Sequence, residues 1–186
     1  MDQLPASANF LLPLLLLLGI SRGGFCYEDG APPGHTGGFG GPDCSLCHSD
    51  SRPNLPGGSL NVEGLPDRVS AGTGYDLAVV LSHPELRTGG FQLAFRSADG
   101  SPAGEVLSTS ARTTVVTDAG QDYLQHSKKG IQPDRNGIIR WAFRWIATGV
   151  TGPVQLHVAA NAANDDVSAL GDYIFTLERV LQPDEQ

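Results

Sequence analysis

The chain has 186 residues, a formal net charge of -8, 17% charged residues and 40% hydrophobic residues, with an isoelectric point near 4.9. An acidic, charge-poor composition excludes a nucleic-acid-binding surface, and the apolar content suits a single globular core of ordinary size. Residues 10 to 20 read Phe-Leu-Leu-Pro-Leu-Leu-Leu-Leu-Leu-Gly-Ile. That run is too short to span a bilayer and has the length of a signal-peptide core. The flanks fit less well, since Asp2 precedes the run and Arg22 follows it. Small residues at Gly24 and Cys26 predict cleavage after Cys26, so that 1–26 form a signal peptide and the mature chain begins at Tyr27. Lipid attachment at Cys26 is the alternative, and Phe25 before it argues against that reading. Export to the periplasm or cell surface is the expectation, with no membrane span in the mature chain.

Cleavage there removes one of three cysteines and leaves Cys44 and Cys47. They stand in Cys44-Ser45-Leu46-Cys47-His48, the spacing of c-type haem attachment. Two thiols can add to the two vinyl groups of one porphyrin, and the adjacent imidazole then reaches the iron as proximal ligand. A structural zinc would call for a second pair of ligands. A thioredoxin-like pair would sit between a strand and a helix. Neither context is present, because the motif lies between Gly37-Gly38-Phe39-Gly40-Gly41-Pro42-Asp43 and Ser49-Asp50-Ser51-Arg52-Pro53. A disulfide between Cys44 and Cys47 is the remaining alternative. The segment 27–57 is too rich in Gly, Pro and Ser to form a core of its own, and a haem would supply the missing apolar surface.

From residue 58 the texture changes to short alternating runs. Tyr75, Leu77, Val79 and Leu81 mark one strand, and Phe91, Leu93 and Phe95 another. Glu105 to Ser108 and Thr113 to Thr117 are weaker strands. Ile139, Trp141, Phe143 and Trp145 share one face of the strongest strand and are expected in the core. Val154, Leu156, Val158 and Ala160 form the next strand, and Tyr173, Phe175 and Leu177 the last. About eight short strands and no amphipathic helix predict an all-β, immunoglobulin-like antiparallel β-sandwich over 58–181, with a tail at 182–186.

Met1 is the only methionine, which excludes methionine as sixth ligand to a haem iron and leaves histidine, a weak ligand or an open site. His83 lies in a turn before Pro84, with no evident reason to approach the haem. His157 falls on the strand face opposite the apolar set and is expected at the surface. His35, in the glycine-rich segment, and His126, placed between strands, are the two candidates that spacing leaves open. Asn161, Asn164, Asp165, Asp166 and Asp172 are oxygen-rich, but their spacing matches no calcium loop, and turn hydrogen bonding accounts for them.

Residues 27 to 181 resemble bacterial exported proteins that join one Cys-x-x-Cys-His haem motif to a reelin-type β-sandwich. The matching residues are Gly37-Gly38-Phe39-Gly40 with the cysteine motif, Gly89-Gly90-Phe91-Gln92-Leu93 with Gly104, and Tyr123-Leu124-Gln125-His126. Trp141 to Trp145, Ala159 to Asn164 and Gly171-Asp172 complete the match. The usual tryptophan-alanine-proline ending of the central strand is replaced by Trp145-Ile146-Ala147-Thr148. The resemblance implies that the Tyr-x-x-His element faces the haem, which makes His126 the expected distal ligand and His35 the alternative.

The expected function is therefore that of an exported monohaem c-type cytochrome. Cys44 and Cys47 hold one covalent haem c, and His48 with His126 binds its iron for electron transfer. The expected partner is a redox protein, free or within a membrane-associated redox complex. No Ser-His-Asp order, phosphate-cradling loop or paired-carboxylate motif stands out, so no enzyme activity is expected. The alternatives are a cell-surface recognition or adhesion sandwich with a Cys44–Cys47 disulfide, and a five-coordinate haem sensor.

Overall fold

Alternation of apolar and polar residues obliges a strand to bury one face, and the chain meets that demand with two sheets. A computed structural model describes residues 27–185 apart from 49, 51 and 167, so the expected signal peptide lies outside the described residues. The strands are β1 (Ser59–Glu63), β2 (Arg68–Val69), β3 (Gly74–Ser82), β4 (Thr88–Ser97), β5 (Glu105–Ser108), β6 (Thr113–Asp118), β7 (Gln121–His126), β8 (Ile138–Ile146), β9 (Val154–Ala163) and β10 (Tyr173–Pro183). One sheet has the order β1-β3-β8-β5 and the other β2-β10-β9-β4-β7-β6. Every pairing is antiparallel except that of the short β2 with β10. The result is the β-sandwich expected from the sequence.

The core lies between the sheets. Leu77, Val79 and Leu81 of β3 and Ile139, Trp141, Phe143 and Trp145 of β8 meet Phe91, Leu93 and Phe95 of β4, all buried. Phe95 stacks on Trp145 with ring centroids 4.3 Å apart, and Phe91 lies 4.6 Å from Trp141. Each indole nitrogen has an acceptor: Trp141 donates to the Gly130 carbonyl at 2.8 Å and Trp145 to the Ala103 carbonyl at 3.0 Å. Burial of each such side chain stabilises the fold by roughly 1.5–3 kcal/mol, and satisfied indoles keep that gain from being offset.

The six-stranded sheet is covered on its outer face as well. Register places Gly90, Asn161 and Ile174 in one row, Gln92, Ala159 and Thr176 in the next, and Ala94, His157 and Glu178 in a third. The segment from Tyr27 to Gly58 lies across these rows. The His35 amide donates to Gln92 at 2.7 Å, and the Asn54 amide to the Ile174 carbonyl at 2.8 Å. Gly38 packs flat on His157, where a Cβ would fall 2.3 Å from the ring.

Three expectations change. His157, expected at the surface, is only 7% exposed, because the glycine-rich segment covers that face. The span around His126, read as a connection, is strand β7. It escaped notice because its outward residues Tyr123 and Gln125 are polar-tipped yet buried, which blurs the alternation. The last strand continues beyond Leu181 to Pro183, where Gln182 pairs with Arg68 of β2.

Candidate functional site

The motif is held by a single turn of 3-10 helix, Cys44–Leu46, capped by Asp43, whose carboxylate accepts the Ser45 amide at 2.7 Å. The His48 amide donates to the Cys44 carbonyl at 3.0 Å. This turn brings both cysteines and His48 to one wall of a cavity at the end of the six-stranded sheet. His35 and His126 line the same cavity, over a floor that includes Gly89, Gly90, Asn161 and Ala163. The sequence candidates, 91 positions apart at the extremes, thus converge on one space. His83 is elsewhere, buried and stacked on Tyr173 at 3.8 Å between ring centroids.

Cys44 is half-buried and Cys47 exposed. Burial pushes the Cys44 thiol up to about 12, with Asp43 and Cys47 adding to the effect. Such a thiol stays protonated at neutral pH.

The imidazole of His48 donates from Nδ1 to Asp172 Oδ2 at 2.6 Å, and the Asp172 side chain is fully buried. Asp172 also accepts the Asn161 side-chain amide at 3.1 Å and the Asn164 backbone amide at 3.2 Å. With Nδ1 protonated, the lone pair of His48 lies on Nε2. From the sequence alone, Asp172 reads as a turn residue. Its position after Gly171 in the matched segment was the one signal of more.

His126 is 8% exposed. Its Nδ1 accepts the Phe91 amide at 3.0 Å, standing in for a ladder partner just where the register of β4 and β7 ends at Gln92 and Gln125. The same Nδ1 lies 3.3 Å from the Phe91 carbonyl, and Nε2 lies 3.2 Å from the Tyr27 carbonyl. Burial lowers its pKa below the ordinary histidine value, so the ring is neutral. His35 is half-buried and donates from Nδ1 to the Pro32 carbonyl at 2.8 Å, which leaves its lone pair on Nε2. Both rings therefore present a second imidazole to the cavity that His48 lines. Metal ligation by His126 through Nε2 requires the tautomer that donates to Phe91 and release of the Tyr27 carbonyl.

Among the described residues, no cluster of three or more His, Cys, Asp or Glu side chains is arranged to hold a bare metal ion. The Asn164 to Asp172 loop is instead tied by turn hydrogen bonds, Asn164 to Asp166 and Asp166 to Ser168.

No family model matches the chain, and no curated protein matches it. Among solved structures, the Reelin-N domain of F-spondin is 24% identical over 72% of this chain and 91% of that one, with a TM-score of 0.50. The sandwich has the reelin-type fold. A human F-spondin reeler domain is 22% identical over 72% of this chain and 93% of that one, at a TM-score of 0.49. A second fragment of the human reeler domain is 25% identical over 76% and 99%, at 0.43. The reeler likeness establishes the architecture, and the cavity must speak for its own chemistry.

Proposed function

We propose that the chain is an exported monohaem c-type cytochrome serving electron transfer. One observation carries the reading: Cys44, Cys47 and His48 line the same cavity as His126 and His35. Cys44 and Cys47 would hold the macrocycle as thioethers, His48 would be the proximal ligand, and His126 the distal one with His35 as alternative. When bound, a haem of this kind supplies one-electron redox chemistry. The chain's own part is to bring His35, His48 and His126 to one cavity, to keep the Cys44 thiol protonated, and to lay residues of the 27–58 segment over the site. Gly90, without a side chain, leaves the room on the floor that the His126 ring occupies. A periplasmic or cell-surface location and a redox protein partner, free or in a membrane-associated complex, belong to this reading. Among the described residues no helix is long and apolar enough to cross a membrane.

The reelin-type fold favours a second reading, a cell-surface recognition or adhesion sandwich in which the two cysteines form a disulfide. Coexpression with the c-type maturation system decides between them. The haem reading expects a covalently retained haem on a denaturing gel and a c-type pyridine haemochrome. Haem-free protein with Cys44 and Cys47 oxidised to a disulfide overturns it in favour of the recognition module.

A further inference from the structure

Resting on the haem reading, we propose that Asp172 is a positioning residue for the proximal imidazole, which fixes the tautomer of His48 and lowers the reduction potential of the site. The Nδ1 to Oδ2 separation of 2.6 Å is that of a charge-assisted hydrogen bond. The carboxylate is wholly buried, whereas the imidazole retains 20% exposure, so the pair is anchored from the protein side. Asn161 and Asn164 direct N–H groups at the two carboxylate oxygens, which fixes the orientation of the carboxylate toward His48. Asn161 lies on β9, and its register partners Gly90 and Ile174 belong to the central strands of the sheet. The anchor is therefore part of the sandwich, not of the glycine-rich segment that bears the motif.

A carboxylate accepting Nδ1–H holds a ligating imidazole in the Nε2 lone-pair tautomer, orients its plane and raises its basicity. A more basic ligand stabilises the more highly charged oxidation state of a metal, so the carboxylate lowers the potential. A neutral amide in its place cannot supply the same polarisation. The motif segment meets this loop at a second point, where Asp50 accepts the Gly171 amide. The fold thus docks the motif on the loop between β9 and β10 by two adjacent contacts.

Two measurements on the full chain test the proposal. Histidine 15N–1H correlation spectra of the haem-free protein should show His48 protonated at Nδ1; an Nε2-protonated His48 overturns the pairing, whatever the chain binds. On protein carrying covalent haem, redox titration followed by absorbance should give a higher midpoint potential for Asp172→Asn than for wild type. Asp172→Glu should recover part of the difference. Retained haem with an unchanged midpoint in Asp172→Asn overturns the tuning role. If wild type acquires no covalent haem, the cytochrome reading fails by itself, and the tautomer still decides whether Asp172 fixes His48.

Discussion

Substituting Gly90 by alanine tests how tightly the cavity floor is built around His126. A Cβ on Gly90 would lie 2.5 Å from His126 Cε1, 2.9 Å from Nδ1 and 3.0 Å from Nε2. The ring must swing away, and the buried Phe91 amide then loses its acceptor, at a cost of about 1–3 kcal/mol. An alanine in an extended strand offsets roughly 0.4–1 kcal/mol of that by restricting the unfolded chain. The net loss is between about 0 and 2.6 kcal/mol, or a fall in Tm of up to about 10 °C for a chain of this size. In a His126→Ala background the methyl group enters the space that the ring has left. There Gly90→Ala should be neutral or slightly stabilising, for a coupling of about 1–3 kcal/mol in a double-mutant cycle. Urea and thermal unfolding of the four haem-free proteins measure it. Equal losses in both backgrounds would refute the reasoning, since the clash would then not be with the imidazole.

Two further outcomes follow from the covered outer face. Gln92 accepts the His35 amide and donates to the Ala31 and Pro32 carbonyls and to Gln125. Gln92→Leu should therefore cost about 1–3 kcal/mol and sharply speed hydrogen exchange at the His35 amide; unchanged protection there would show that the segment is held by other contacts. His83 and His157 both have pKa values lowered by burial, partly opposed by Glu85 and Glu178 respectively and, for His157, reinforced by Arg96. Their neutral forms are favoured in the fold, so their contribution is fully present above the unfolded value of about 6.5 and is lost as pH falls below it toward the folded values. The urea midpoint should drop between about pH 7.5 and pH 5, and His157→Gln should flatten that drop; an identical slope in the variant would remove His157 as a source.

Sequence by itself determined what local chemistry and period-two alternation encode. Phe91, Leu93 and Phe95, or Trp141, Phe143 and Trp145, can be buried together only on one face of a strand, and successive strands of that kind require a second sheet. The Cys44–His48 motif is equally local, because whatever two thiols and an imidazole can do together depends on spacing within a single turn. The structure added what depends on distant segments meeting. His157 looks exposed in its own strand and is buried because Gly38 can approach it without a side chain. Strand β7 is hidden in the sequence because its outward Tyr123 and Gln125 lie under a cover that no local pattern reveals.

The partner of His48 is the clearest case. Asp172 stands 124 positions from it, in a loop whose composition reads as turn chemistry, and only the docking of the motif against the β9 to β10 connection makes that carboxylate part of the site. Spacing could name His35 and His126 as candidates for one cavity, but their hydrogen-bond partners, Pro32 for the one and Phe91 with Tyr27 for the other, are fixed by how the 27–58 segment lies on the sheet. Ligand chemistry is written in residue type; which nitrogen faces the cavity is decided by packing.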